Sequence, residues 1–327
     1  MSQHALQNII YFCIPENRPT GGIKYLLRHS HLINKMQGYN VASAVHVYNQ
    51  PEFVPSWEVP HIHKRDNRFN RFTDLIVLPE IMVEDTAPIL QKNRVRYAIL
   101  AQNGFYIAQG EAGMDRFAAL YNGAVVIVSS SAEITSTLRT IFPNLRPPIF
   151  EISYAFDRQV FSGNGHKRNL ITYMPRKLPY HSRMVIRYLS TRNLRGWEIQ
   201  PIDGLDEAGV VALLKASRIF LSFSEMEGFG LPPVEAALLG NKVIGYTGIG
   251  GREYFRPPLF EPIEHADFLG YVSAVEREMA RHAEHRTPDS AEFATSIGEL
   301  ADKYSPAKEL RGLQAFVEAA IDKFRGN

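Results

Sequence analysis

Ser224-Glu225-Met226-Glu227-Gly228-Phe229-Gly230-Leu231-Pro232-Pro233-Val234-Glu235-Ala236-Ala237-Leu238-Leu239-Gly240 is the stretch on which the reading of this chain turns. It follows Ile219 to Phe223, an apolar run of the length of a buried strand. Two prolines then favour a helix start near Pro232, and Gly240 supplies a left-handed stop. A strand, a glycine-bearing turn and a helix in that order make one unit of a parallel α/β sheet. The turn lies at the carboxyl end of a parallel strand, where ligands bind in such sheets, and the N–H groups of a helix's first turn suit a phosphate. Glu235 is expected in that first turn and Glu227 in the loop, both toward one crevice. Each carboxylate accepts two hydrogen bonds, which matches the vicinal diols of a ribose or a hexose.

The same alternation extends in both directions. Downstream of a polar, glycine-bearing passage at Ser162-Gly163-Asn164-Gly165 come a strand at Ile171 to Met174, a helix at Ser182 to Thr191, a strand at Trp197 to Pro201 and a helix at Asp206 to Ala216. After the decisive stretch comes Lys242 to Tyr246, then helices near Asp267 to His282 and Ala307 to Phe324, with Arg281 to Ser290 as a surface loop. In the other half, Ile9 to Ile14, an amphipathic run from Gly22 to Met36 and Val41 to Val47 give a βαβ opening. Further short apolar runs at Leu75 to Leu78, Tyr97 to Leu100, Ala124 to Val128 and Ile149 to Ile152 continue a parallel sheet covered on both faces. The expectation is therefore two Rossmann-like doubly wound domains, residues 1–160 and 161–305, followed by a final helix in 306–327.

Composition narrows the function classes. With 327 residues, 45% hydrophobic and 21% charged, the chain reads as a globular protein of two domains. Thirty-six Lys+Arg against 34 Asp+Glu leave a formal +2, which argues against nucleic-acid binding driven by bulk charge. The one cysteine, Cys13, excludes an internal disulfide and a cysteine zinc cage, and fits a reducing cytoplasm. The run at Ile9 to Ile14 has no Lys or Arg before it and reads as a strand, not a secretory leader. No stretch reaches the roughly 20 apolar residues needed to span a bilayer.

Glu227-Gly228-Phe229-Gly230-Leu231-Pro232-Pro233-Val234-Glu235 resembles the signature of the retaining GT-B glycosyltransferases of the family-4 type, two Glu residues separated by seven, including its internal Gly-Phe-Gly-Leu wording. The resemblance is specific over about thirty residues and extends more weakly over both halves. It implies a GT-B fold, two Rossmann-like domains facing a crevice with the final helix crossing back to the first domain. It implies that Glu235 holds the ribose of a nucleoside-diphosphate sugar, that Glu227 contacts hydroxyls of the sugar, and that the amides of Phe229, Gly230 and Leu231 line sugar and diphosphate. Residues 1–160 become the acceptor domain and 161–305 the donor domain.

Four other segments bear on the chemistry. Thr20-Gly21-Gly22 follows the first strand and opens the first helix, so the amides of Gly21 and Gly22 can approach a phosphate or the moving sugar, as the family's Gly-Gly loop does. A G-x-G-x-x-G fingerprint is missing there, which argues against a dehydrogenase. Arg176-Lys177 follows the strand at 170–174, where two cations offset a departing diphosphate; the family spaces its Arg and Lys further apart, and His181 stands near where the Lys would fall. Thr247-Gly248-Ile249-Gly250-Gly251-Arg252-Glu253 resembles the family's later glycine loop. Gln102-Asn103, after the strand at Tyr97 to Ala101, stands where family members often carry a His and is the acceptor-side candidate; Ser129-Ser130-Ser131 follows the strand at Ala124 to Val128.

His61-Ile62-His63 lacks a cysteine or carboxylate at ligand spacing and reads as a surface or acceptor-side loop, and there is no Asp-x-Asp triplet of the kind that holds a nucleotide's metal. The expectation is thus a cytoplasmic hexosyltransferase, without cofactor or metal, that takes a nucleoside-diphosphate sugar and a glycan or lipid-linked acceptor hydroxyl in polysaccharide or surface-glycan biosynthesis. Peripheral association with the inner face of a membrane is compatible with it, integral insertion and nucleic acid are not. Two other readings stay open at this point: a nucleotide-sugar epimerase on the same scaffold, and a non-catalytic nucleotide-binding scaffold subunit.

Overall fold

The structure, a computed structural model, describes residues 5–16, 20–50, 52–53, 63–66, 68–162, 165–194, 196–283 and 290–326. The chain divides into two compact units, Met1–Tyr154 with Ala307–Asn327, and Ala155–Pro306. The break falls at Tyr154, a few residues before the polar passage where the sequence places it; Gly163 and Asn164 of that passage lie outside the described residues.

The first unit runs β1 Asn8–Cys13, α1 Gly21–Lys35, β2 Ala42–Val47, β3 His63–Lys64, β4 Asp74–Pro79, α2 Val83–Lys92, β5 Arg96–Ala101, α3 Met114–Asn122, β6 Ile127–Ser129, α4 Ala132–Ile141 and β7 Ile149–Glu151. Among the described residues its strands form one sheet in the order β3-β2-β1-β4-β5-β6-β7, parallel throughout. Alternation along β1 shows why both faces are apolar: Ile9, Tyr11 and Cys13 enter one core with α1, while Ile10 and Phe12 enter the other with α2 and α3. The sequence places a strand at Ala124 to Val128, but Gly123 and Ala124 close the end of α3, so β6 starts only at Ile127.

The second unit runs β8 Leu170–Tyr173, α5 Pro179–Ser190, β9 Glu198–Pro201, α6 Glu207–Ala216, β10 Ile219–Glu227, α7 Leu231–Leu238, β11 Lys242–Ile249, β12 Phe260–Pro262, α8 Phe268–Ala283 and α9 Ser290–Lys303. Its sheet is parallel in the order β12-β11-β10-β8-β9, with β10 central. The sequence reading misses α9 as a separate helix, because its buried positions, Leu300 and Ala301, are few and small. It also begins α5 at Ser182, whereas Pro179 opens the helix after Leu178 turns left-handed at φ 43°. Of the loop expected at Arg281 to Ser290, residues 284–289 lie outside the described residues.

The final helix, α10 Pro306–Arg325, belongs with the first unit. Leu313, Phe316, Val317, Ala320 and Phe324 are buried in the core that α1 and β1 share. Gly312 sits so close to Ile152 that a Cβ there would lie 3.1 Å from its side chain. Leu310, expected on this apolar face, is 37% exposed. Glu309 points inward instead, and its carboxylate accepts both of its 2.8 Å hydrogen bonds from Arg28 Nε. A charged residue thus replaces an apolar one at the end of the stripe, satisfied by a guanidinium from α1.

Candidate functional site

In the second unit the decisive stretch folds as strand, turn and helix, with three differences from the expectation. Strand β10 continues through Ser224 to Glu227 with an irregular register against β11 between those two residues, and Met226 takes φ 51°. Glu227 therefore ends a strand and does not lie in a loop. Gly230, at φ 83°, makes the left-handed entry to α7, a turn that a side chain resists. Glu235 lies beyond the first turn of α7, which contains no acidic residue. The prolines also matter: Pro232 and Pro233 carry no N–H, so the donors that this helix start offers are the amides of Gly230 and Leu231.

Phe229 is 3% exposed and is held by rings from three other segments: Phe156, Tyr254 and Tyr304. The Tyr254 hydroxyl lies 2.8 Å from the carbonyl oxygen of Phe229 and 2.7 Å from that of Gly230. The side chain of Phe229 is thus an anchor for the turn. The later glycine loop presses against the same turn. A Cβ on Gly250 would fall 2.4 Å from the carbonyl of Glu227 and the backbone of Gly228, and one on Gly248 would fall 2.8 Å from Ser224. Those glycines let β11 and β10 close together where β10 ends.

Lys177, on the turn after β8, donates from Nζ to Glu227 Oε1. The two side chains, 36% and 21% exposed, line a small cavity with Met174, Ser224, Pro232 and Pro233. The neighbouring Arg176 is exposed. His181 is turned onto other groups: its Nδ1 is 3.2 Å from the Tyr246 hydroxyl, and its ring packs on His265 and Phe268. Burial, then the nearby His265, holds its imidazole below the usual range, against a smaller opposing pull from Glu225. Of the cations weighed from sequence, Lys177 is the one joined to Glu227.

In the first unit the Thr20 hydroxyl caps α1 by accepting from the amide of Ile23, and Gly21 and Gly22 are the first two helical residues. Gln102, just past β5, donates from Nε2 to the carbonyl of Gly22 at 3.1 Å. A Cβ on Gly22 would stand 2.3 Å from Gln102 Oε1, so glycine is what lets the amide side chain lie there. Asn103 caps the short turn that follows, its Oδ1 accepting from the amide of Phe105 at 3.0 Å. Ser130 donates to the carbonyl of Gln102 at 3.4 Å, and Ser131 caps α4 through the amide of Ile134. Gly22, Gln102, Asn103 and Ser130 are thus brought together at the carboxyl ends of β1, β5 and β6.

One member of this group escapes sequence reading. Glu80, immediately after β4, is 4% exposed, and its Oε1 accepts the amide of Asn103 at 2.9 Å. The amides of Gln102 and of Glu80 itself also point at the carboxylate, while burial pushes its acid up to about 7. The available signal was a carboxylate placed directly after an all-apolar strand, Leu75 to Leu78, at the end of the sheet where ligands bind. His61, of the His-x-His pair, lies outside the described residues; His63 opens β3, and no group of three or more potential metal ligands occurs among the described residues.

The chain is similar over nearly its whole length to several solved structures. Sucrose-phosphate synthase from Thermosynechococcus elongatus superposes with a TM-score of 0.69 at 13% identity, covering 95% of this chain and 98% of that one. Anabaena HepE in complex with UDP gives 0.67 at 11% identity, covering 97% and 100%. A glycosyltransferase from Rickettsia africae gives 0.62 at 13%, covering 96% and 99%. The fold is GT-B.

No family model matches the chain, and no curated protein matches it. The GT-B fold gives the two polar clusters their place: each lies at the carboxyl ends of the parallel strands of its own sheet. No described helix of this GT-B chain is long and apolar enough to cross a membrane.

Proposed function

We propose that this chain is a glycosyltransferase that moves a hexosyl group from a nucleoside-diphosphate sugar to an acceptor hydroxyl, with retention and without a metal, in the building of a polysaccharide or surface glycan. The observation that carries the reading is the Lys177–Glu227 pair, set at the carboxyl end of the central strand β10 and followed by Glu235 on α7. A carboxylate and an ammonium at one small cavity suit a ligand that carries sugar hydroxyls beside a diphosphate. The nature of the solved relatives supports it. HepE is seen with UDP and with UDP-glucose, and the catalytic domain of starch synthase IV with ADP and acarbose.

Each residue then has a task. Glu235 holds the ribose diol, Glu227 the hydroxyls of the donor sugar, and the amides of Gly230 and Leu231 with the backbone of Phe229 line sugar and diphosphate. Lys177, with Arg176 beside it, takes up charge as the bond between the anomeric carbon and the phosphate oxygen breaks. The acceptor oxygen bonds to the anomeric carbon on the face the phosphate leaves, and its proton passes to the departing phosphate oxygen. No protein base is required for that step. The Gly21 and Gly22 amides meet the phosphate or the moving sugar of the donor, and Gln102 and Asn103 serve the acceptor side.

The test is turnover of a panel comprising UDP-glucose, UDP-N-acetylglucosamine, ADP-glucose and GDP-mannose, followed as release of the nucleoside diphosphate in the presence of EDTA. The reading expects at least one donor to turn over, with no gain from added Mg²⁺ or Mn²⁺. Turnover that requires the metal refutes the metal-free mechanism, and conversion of a donor to its epimer without release of nucleotide refutes transfer.

A further inference from the structure

Glu80 has no role in the chemistry proposed above, yet its surroundings are unusual. It is a carboxyl at 4% exposure with no Lys or Arg paired to it among the described residues; the amide of Asn103 donates to its Oε1 at 2.9 Å, and the amides of Gln102 and of Glu80 itself also favour its charged form. Burying a carboxyl costs several kcal/mol unless it is hydrogen-bonded, so this arrangement is stable only while the amides remain in place. The dependence is mutual, because Asn103 lies in the non-repetitive segment after β5 and its amide donates to this carboxyl.

From Glu80 the contacts lead onward without a gap. Asn103, held by its amide, caps the next turn through Oδ1. Gln102, next to Asn103 in the chain, reaches with Nε2 to the carbonyl of Gly22 at 3.1 Å, and its Oε1 lies 2.3 Å from where a Cβ on Gly22 would be. Its own carbonyl accepts from Ser130. The ends of β4, β5 and β6 and the start of α1 are thereby tied through one carboxylate.

We propose that Glu80 is a positioning residue that fixes the Gln102–Asn103 segment against Gly22 and so sets the geometry of the polar cluster of the first unit. The role of that cluster rests on the function proposed above; the contacts of Glu80 do not. Replacement by Gln keeps the size of the side chain but turns one of its two acceptor oxygens into an NH2 donor beside backbone N–H groups and removes the charge, which weakens its hold on the segment. Replacement by Asp keeps the charge and shortens the reach by one methylene.

The experiment measures amide hydrogen exchange at Gln102 and Asn103, thermal unfolding, and kcat and KM with UDP-glucose, UDP-N-acetylglucosamine, ADP-glucose and GDP-mannose, for wild type, Glu80→Gln and Glu80→Asp. In Glu80→Gln, exchange at Gln102 and Asn103 should rise about tenfold or more while the sheet amides of β4 and β5 keep their protection. Any donor the wild type turns over should show kcat reduced about tenfold or more with KM within about twofold, since a misplaced contact slows chemistry without weakening donor binding. Glu80→Asp should recover most of both effects. Exchange at Gln102 and Asn103 unchanged in Glu80→Gln overturns the proposal, as does a loss of kcat that only tracks a general loss of stability. If the wild type turns over none of the four donors, the glycosyltransferase reading fails, and the exchange measurement still decides what Glu80 holds.

Discussion

The ammonium of Lys177 donates to Oε1 of Glu227, joining the turn after β8 to the last residue of β10. With the two side chains 36% and 21% exposed, such a pair contributes at most about 1 kcal/mol to stability. In the function proposed above its value lies in what it would hold ready: a cation for the diphosphate and a carboxylate for the sugar. Lys177→Ala is therefore expected to lower donor turnover about 100-fold or more while unfolding stability changes by less than about 1 kcal/mol. Arg176→Ala, on an exposed neighbour, should cost less than Lys177→Ala. Steady-state kinetics and urea unfolding check both, and a Lys177 variant that is active but unstable contradicts the assignment.

Much of this was legible in the sequence, for a physical reason. Strands buried on both faces write themselves as apolar runs, as at Leu75 to Leu78 and Ile219 to Phe223, and the turn between Phe223 and Leu231 announces itself by glycine and proline. What was not legible depends on partners distant along the chain. Glu80 reads as any polar residue after a strand until Gln102 and Asn103 bring their amides to it. Glu309 interrupts the apolar stripe of α10 only because Arg28 waits on α1. Helix α9 was missed because Leu300 and Ala301 make too small a stripe, while Tyr304 just beyond it is bound to Phe229 and Glu253 far away.

Two glycines separate a cost in function from a cost in folding. A Cβ on Gly22 meets only the far end of Gln102, which can swing aside, and alanine suits a helix better than glycine by up to about 1 kcal/mol. Gly22→Ala should keep or raise the melting temperature and lower kcat about tenfold, because Gln102 is displaced. A Cβ on Gly250 meets the backbone of Glu227 and Gly228 at 2.4 Å, which cannot yield as easily. Gly250→Ala should lose about 1 to 3 kcal/mol of stability by chemical denaturation, and its donor affinity with it.

His29, on α1, is fully buried against Tyr25 and Tyr11, with neither ring nitrogen hydrogen-bonded among the described residues. Burial, then the neighbouring Arg28, lowers its pKa from 6.5 to about 3. The folded value lies below the unfolded one, so the unfolded chain binds the extra proton. Stability from this group is complete above about pH 6.5 and is lost as pH falls toward 3, at no more than about 1.4 kcal/mol per pH unit. His29→Leu should flatten that part of the stability profile and be at least as stable as wild type at pH 7, because it removes two unsatisfied nitrogens. Urea unfolding at pH 5 and pH 7 reads both effects, and an unchanged slope would show that His29 titrates normally.

Truncation after Ser305 removes α10 and uncovers the core positions that Phe316, Val317, Ala320 and Phe324 fill in the first unit. Each large apolar side chain contributes about 1.5 to 3 kcal/mol when buried, so the first unit should lose cooperative unfolding. Apart from Gly21 and Gly22, the residues assigned to the donor lie in Ala155–Pro306. The truncated chain should accordingly lose transfer activity more completely than nucleotide affinity, as judged by calorimetric melting and UDP titration of the same sample. Full transfer activity without α10 would contradict this.

The central claim is that the second unit binds a nucleoside diphosphate through Glu235 and its neighbours on β10 and α7. Isothermal titration of UDP, ADP and GDP into wild type and Glu235→Ala, with EDTA present throughout, tests it most directly. At least one nucleotide should bind the wild type, and Glu235→Ala should weaken that binding by about 1.5 to 3 kcal/mol, the cost of losing charge-assisted hydrogen bonds to a ribose diol. Binding of none of the three, or equal binding by a folded Glu235→Ala variant, would contradict the claim.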